Sequence, residues 1–449
     1  MAAKTYIGLA TLGLAMLTAP WLRGQQDADQ VPVLTLNEAV EIALANNRDL
    51  KIANLEVEKS KWQVAAAKTR RLPGFHGYLF GAGNIDSPAF TFKEGSLGKL
   101  HGDANPSQNV TIPLSTGFTG YAFADVTQPL TQLYKIHLYI HDQELSSQLN
   151  REEYRSKRQS VVSDVKEAYY AILQSESGLE AANAAVEQYE ETDRVSLQWV
   201  ANEVVLKSES LNVKAKLAQS KYQVVTLTNT LQTQKEHLND LLGRSLDADF
   251  RTEQVPSISY EETNLKVAQQ AALSQRPEIR EAEINVDKAN TDRKKAKADY
   301  IPDINAAFHY MTPINTEILP TNIASVGLEL SWEPFEWGRR KDDVKQKEIT
   351  VDQAGLKLKQ AHSQVLLDVN NHFRKLSQSR AALEVAVAAR DAAREKLREV
   401  NDQYRTEAVL LTDVLKQHAA VANADHDYEE ALLSFWSAKA EFEKALGEE

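Results

Sequence analysis

Residues Leu36–Pro73 read LNEAVEIALANNRDLKIANLEVEKSKWQVAAAKTRRLP, and Leu265–Pro302, 229 positions on, read LKVAQQAALSQRPEIREAEINVDKANTDRKKAKADYIP. Aligned without a gap they share 10 of 38 residues, among them Ala39/Ala268, Ala43/Ala272, Leu44/Leu273, Lys59/Lys288 and Pro73/Pro302. A repeat at fixed offset is read before any single motif, because it makes the chain two copies of one unit. Two further landmarks keep the same order. Gln128-Pro129-Leu130 matches Glu333-Pro334-Phe335 at offset 205, and Ser208-Glu209-Ser210-Leu211 matches Thr412-Asp413-Val414-Leu415 at offset 204, with Leu242-Gly243 and Leu446-Gly447 behind them. The offset drop from 229 to 205 gives the first copy 24 extra residues between its two prolines. They fall in the Gly-, Ser-, Asn- and Pro-rich stretch 81–115, which reads as a long loop. The expected domains are a signal peptide (1–24), a first repeat (25–262) and a second repeat (263–449).

Each copy has one grammar: a helix of about 36 residues ending at a proline, two short alternating segments, a very long helix, a break, and a helix of about 35 residues. The long stretch from Ile136 to Asn202 has no Pro and a single Gly, Gly178. At 1.5 Å per residue it spans roughly 100 Å, longer than any compact core, so it predicts helices packed side by side. Val165, Ile172, Leu179 and Val186 recur every seventh residue, beside the smaller row Ala168, Ser175, Ala182 and Tyr189. In the second copy Leu358, Ala361, Val365, Val369, Phe373 and Leu376 keep the same helical spacing.

The segments between the prolines alternate with a period of two. Ile304, Ala306, Phe308 and Tyr310 share one face, and Ala324, Val326, Leu328, Leu330 and Trp332 oppose Ser325, Gly327, Glu329 and Ser331. This is the pattern of strands with lipid on one side and water on the other. The lipid-facing candidates are Ile304, Phe308, Val326, Leu328, Leu330 and Trp332. Four strands cannot close a barrel, but several chains can pool theirs into one without edges.

Composition narrows the rest. With 449 residues, 63 acidic against 51 basic side chains and a net charge of −12, a sequence-independent nucleic-acid binder is excluded. Zero cysteines exclude thiol catalysis, Cys-ligated zinc and iron–sulfur clusters. No P-loop, GxGxxG, GxSxG or HExxH pattern occurs, so neither an enzyme nor a cofactor is expected. His137 and His141 have a metal-compatible spacing, but only Asp142 stands by as a further ligand, and solvated histidines are the favoured reading. Residues 1–24 place Lys4 before an apolar run from Tyr6 to Leu17, the layout of a secretory signal.

With the duplicated order on the page, the chain resembles the outer-membrane efflux (TolC) family. The carriers are Leu36-Asn37-Glu38-Ala39, Arg276-Pro277-Glu278-Ile279, the proline pairs flanking the strands, and Thr412-Asp413-Val414-Leu415. The resemblance implies a mainly helical homotrimer: a twelve-stranded outer-membrane β-barrel continuous with an α-helical barrel that reaches into the periplasm. It also implies a passive exit duct working with a periplasmic adaptor and an inner-membrane transporter, in a tripartite pump or type I secretion. The other reading is a periplasmic or secreted coiled-coil protein without a pore.

The break before the last helix of each copy is the site of interest. Ser208 and Thr412 read as N-caps, and Glu209 and Asp413 as acids that suit the helix dipole. The resemblance places this break at the periplasmic closure, where Asp413 matches an aperture aspartate and three copies would make a cation-favouring ring. Constriction candidates are therefore Asp413, Glu209 and Lys416. Lys416 stands where the family carries a second acid, and Val409 where it carries a basic latch.

Overall fold

The computed structural model describes residues 32–86, 89–113, 117–203, 206–254, 264–315, 320–406 and 408–448. The expected signal peptide lies outside them. The first half holds β1 (Val33–Leu34), α1 (Leu36–Asn46), α2 (Arg48–Thr69), β2 (Gly74–Gly83), β3 (Ala89–Phe92), β4 (Lys99–Leu100), β5 (Asp103–Ala104), β6 (Val110–Pro113), β7 (Phe118–Pro129), α3 (Gln132–Ala201), α4 (Lys207–Leu241) and β8 (Arg251–Thr252). The second half holds α5 (Leu265–Gln275), α6 (Pro277–Ala298), β9 (Asp303–Ile314), β10 (Ile323–Ser331), α7 (Arg339–Arg405) and α8 (Leu411–Leu446). Lengths match in pairs: 11 residues in α1 and α5, 22 in α2 and α6, 70 and 67 in α3 and α7, 35 and 36 in α4 and α8.

The helix expected before each strand pair is two helices, because one residue leaves the helical region. In the second half Pro277 does this: X-Pro geometry drives Arg276 to φ −67°, ψ 129° and supplies a ready N1 residue. The first half has Arg48 at that place, yet Asn47 takes φ −54°, ψ 130°. Its side chain accepts the Leu50 N–H (3.0 Å) and donates to the Leu241 carbonyl (2.9 Å), so a buried cap does what proline does in the other half.

Each last helix ends against this break. Gly243 and Gly447 follow α4 and α8 at φ 67° and 86°, a conformation glycine adopts freely. A Cβ on Gly243 would lie 2.5 Å from the Asn46 carbonyl oxygen, and one on Gly447 would lie 3.1 Å from the Arg276 nitrogen. The Leu-Gly landmark is thus a close backbone contact between the ends of each half.

Two apolar clusters form the core. One joins α1, α3, α4 and the β1–β8 pair through Val165, Tyr169, Ile172, Leu238, Leu242 and Phe250, and it includes Leu433 of α8. The other joins α5, α7 and α8 through Val369, Leu376, Phe435 and Phe442, and Trp436 packs against both. The heptad seam is buried at Val165, Ile172, Ala168, Ser175 and Ala182, but Leu179, Val186 and Tyr189, nearer the end of α3, are half-buried. The parallel pair β1–β8 had no signal in the sequence. Tyr169 fastens it: its buried hydroxyl accepts the Glu253 N–H (2.7 Å) and lies 2.8 Å from the Leu34 carbonyl oxygen.

Polar groups join the helices elsewhere. Asp142 bridges Lys288 (3.2 Å) and Lys295 (2.9 Å); burial alone would raise its carboxyl, but the two ammonium groups hold it below the usual carboxylate range. Glu281 has the opposite fate. Burial, then the neighbouring Glu278, Glu153 and Glu152 carboxylates, push it up to about 7. A folded-state value above the unfolded one contributes stability that is full below about 4.5 and lost as pH rises through 7. Glu281→Gln is therefore expected to raise the thermal midpoint at pH 8 by about 1–2 °C and to change little at pH 5. About 1 kcal/mol is at stake once the side chain's partial exposure is discounted. Equal shifts at both pH values in thermal scans of the detergent-solubilised protein would rule this out.

Among the described residues no helix is long and apolar enough to cross a membrane.

Candidate functional site

Two features are the candidates for function: the four-stranded sheet and the pair of helix breaks far along the chain from it. The sheet order is β10-β9-β7-β2, all antiparallel. Directly opposed residues share a face, so register assigns the faces. Leu330↔Ile304, Leu328↔Ala306 and Val326↔Phe308 continue to Val126↔Phe308, Phe75↔Val126 and Leu79↔Ala122. That face is apolar and uncovered in the single chain: Val326 is 84% exposed, Leu79 74% and Leu328 72%. The six sequence candidates fall on it, with Trp332 just past the end of β10.

The other face is not simply polar. It holds the ion pairs His76–Asp125 (3.1 Å) and His309–Glu329 (2.9 Å), with Ser325 and Ser331. Tyr78, Phe80, Tyr121 and Phe123 occupy the β2–β7 part, with Phe80 stacked on Tyr121 at 5.1 Å between ring centroids. The sequence already sets Asp125 on the Tyr121/Phe123 face, and the register agrees; rings on both faces of β2 and β7 make the first half less tidy than the second. The stretch 81–115, read as a loop, contains a hairpin of β3 and β6 and a smaller one of β4 and β5. Phe90 and Phe92 face Ile112 and Val110 across the first, and the Thr91 and Thr111 hydroxyls meet at 3.1 Å on its reverse.

The helix turns repeat each other closely. Asn202 and Thr406 sit at φ/ψ −94°/9° and −95°/10°, and Leu206 and Leu410 at −72°/144° and −86°/159°. The N-caps are these leucines, not Ser208 and Thr412. Their extended backbone puts each cap two residues before Ser208 and Thr412, positions that then fall inside the first turn of the helix. Leu206 and Leu410 are 72% and 56% exposed. Glu209 and Asp413 occupy the third helical position in both turns and are exposed. The Asp413 carboxylate accepts the Leu410 N–H at 3.1 Å, closing the helix end, whereas Glu209 makes no such bond among the described residues. Lys416, one turn on, is also exposed. Ser196 and Ser210, both buried, tie α3 to α4 at 3.3 Å between hydroxyls.

The histidine pair does not converge on a site. His137 lies 3.5 Å from the Arg71 guanidinium, and Asp142 is engaged by its two lysines. Among the described residues no three His, Asp or Glu side chains form a metal-ligating group.

A chain with one edge-open amphipathic sheet and two repeats of a helix–strand–strand–helix order has relatives of known kind. Residues 39–244 and 268–448 match the family described as outer membrane efflux protein. The chain belongs to that family. The two matched segments lie one in each half of the chain and leave out 245–267. Solved outer-membrane channels share the efflux protein's fold. The Campylobacter jejuni CmeC outer membrane channel is 16% identical, covers 92% of this chain and 85% of its own, and superposes with a TM-score of 0.75. The open state of the Neisseria gonorrhoeae MtrE outer membrane channel is 18% identical, with 92% and 89% covered and a TM-score of 0.68. An uncharacterised Haemophilus influenzae protein is 19% identical over 357 residues, which are 78% of this chain and 72% of that one.

Proposed function

We propose that three copies of this outer membrane efflux protein pool their sheets into one twelve-stranded barrel through the outer membrane. Helices α3, α4, α7 and α8 continue it as a tunnel into the periplasm. The observation that carries this is the sheet itself: four strands, two unpaired edges at β10 and β2, and an apolar face open to solvent in the single chain. Pairing β10 of one copy with β2 of the next satisfies both edges and leaves the apolar face to lipid. The chain's two halves, 25–262 and 263–449, are read as copies of one unit. The assembly is a passive exit duct; the energy comes from an inner-membrane transporter joined through a periplasmic adaptor.

In this reading the helix ends at Asn202 and Thr406 and the helix starts at Leu206 and Leu410 lie at the periplasmic end, with Asp413, Glu209 and Lys416 around the constriction. Charge and capping at Asp413 are separable, because the amide oxygen of Asn can still accept the Leu410 N–H. Reconstitution in planar bilayers tests both levels. Discrete channel steps are expected, and Asp413→Asn should lower cation preference about two- to fivefold, the equivalent of roughly 0.5–1 kcal/mol for charges acting through water. Protein that is soluble without detergent and conducts nothing would sink the barrel; an unchanged ion preference would remove Asp413 from the constriction.

A further inference from the structure

We propose that Asp125 and Glu329 form a carboxylate belt around the inside of the barrel, and that His76 and His309 switch its charge off as the pH falls. The belt gives the duct, at its outer-membrane end, a cation preference that is full at pH 8 and lost near pH 5. This rests on the reading that three sheets close around water with the ion-paired face inward. The register of the two halves carries it. Thr127 faces Gly74 where Ser331 faces Asp303, so positions on β7 and β10 correspond at an offset of 204. Asp125, opposite His76, and Glu329, opposite Asn305, then occupy the same place in the two halves. Two acids per chain at one height make six in three copies.

Each acid holds a histidine. His76 Nδ1 lies 3.1 Å from the Asp125 carboxylate, and His309 Nε2 lies 2.9 Å from that of Glu329. The histidines arrive by different routes. His76 sits directly across from its acid, whereas His309 opposes Asp125 on one side and Ser325 on the other and reaches Glu329 along the sheet. The His76 side chain is 68% exposed, so water reaches it. His309 stacks on Phe123 at 5.8 Å between ring centroids, and its Nδ1 bonds nothing among the described residues. With Nε2 donating to Glu329, that nitrogen is where a second proton enters.

No fixed cation competes on the sheet. None of β2, β7, β9 and β10 contains a lysine or arginine, and their remaining acid, Asp303, is bound by Lys135 of α3 at 2.7 Å. The other titratable side chains on this face are Tyr78 and Tyr121, and phenols as a class ionise only near pH 10. On the free side of β2 the neighbour is β10 of the next copy, whose charge is Glu329 again. A neutral imidazole leaves each carboxylate its full negative charge, and an imidazolium cancels it. Histidine is the side chain that makes this change between pH 5 and 8. The belt therefore carries six negative charges at the upper end of that range and close to none at the lower, and rings of acids are what favour cations in a pore.

The test is the reversal potential of single channels in phosphatidylcholine bilayers under a KCl gradient, read from pH 8 to pH 5. Cation-over-anion preference should fall at least about threefold in the unchanged protein. His76→Gln with His309→Gln should keep its pH 8 preference at pH 5, because Gln can donate to the same carboxylates and gains no charge. Asp125→Asn with Glu329→Gln should lose preference at pH 8 and turn towards anions at pH 5. Histidines that only braced the sheet would move none of these readings. The paired histidine substitutions separate His76 and His309 from every other group that titrates in this window, Glu281 and the helix histidines included. A flat preference in the unchanged protein, or an equal fall in the histidine variant, overturns the belt while the pore stands. No channels at all from the unchanged protein overturns the belt and the barrel together. Should the double histidine variant not assemble, His76→Gln alone must remove a clear part of the fall, and an undiminished fall overturns the proposal.

Discussion

Leu328→Arg is expected to abolish recovery of the protein from outer membranes, while Ser325→Arg, three residues away on the same strand, is recovered. Leu328 opposes Ala306 in the middle of the exposed apolar face, and Ser325 opposes His309 on the other. A cation facing lipid near the bilayer midplane costs about 2–4 kcal/mol per chain. If three chains share one barrel the cost is about 6–12 kcal/mol per assembly, comparable to the whole stability of a folded domain. On the opposite face Arg would meet water and stand near the Glu329 carboxylate. Membrane fractionation with heat-modifiable mobility reads the outcome. Equal recovery of the two variants would mean that register has been assigned to the wrong faces.

Gly243→Ala is the second large effect, a loss of about 2–5 kcal/mol. Two terms combine: a left-handed backbone costs an L-residue roughly 1–2 kcal/mol, and overpacking typically 1–3 kcal/mol more. The overlap cannot be relieved by a rotamer change, since the atoms met are the Asn46 carbonyl oxygen at 2.5 Å and its carbon at 2.9 Å. Gly447→Ala is expected to lose less, because its nearest contacts lie at 3.1 Å. Gly355→Ala serves as the control. It sits inside α7 with nothing within 4 Å of a new Cβ, so it should be neutral or gain up to about 1 kcal/mol. Denaturation midpoints of the solubilised protein rank the three; a Gly243→Ala midpoint equal to the control would remove the close contact.

Much of this architecture could be read from residues because it is periodic. Strand alternation at Val326–Leu330, the heptad row at Val165 and Ile172, and proline spacing each express one local rule repeated many times. What escaped was non-periodic. The break at Asn47 has no proline, and its only signal was an asparagine followed by Asp49, a cap pattern inside an otherwise unbroken helical stretch. The β1–β8 pair is two residues long per strand and depends on a tyrosine far away in sequence. At the turns the repeat located Glu209 and Asp413, but the hydroxyl residues beside them drew the caps two positions too far. Leucine caps with extended backbones leave no compositional mark. In the proposed trimer, how the acids of the three copies face one another is a property of the assembly, and no pattern within one chain encodes it.

The double allegiance of α8 bears on when the protein can fold. Leu433 completes the cluster that begins at Leu34, Phe435 and Phe442 complete the other, and Lys166 and Gln159 of α3 reach Glu443 and the Gly447 carbonyl. Neither cluster is whole until α8 has been synthesised, however much of the chain precedes it. Contacts of such sequence separation form slowly. Because both clusters draw on the last helix, the core is completed only when the C-terminal segment docks.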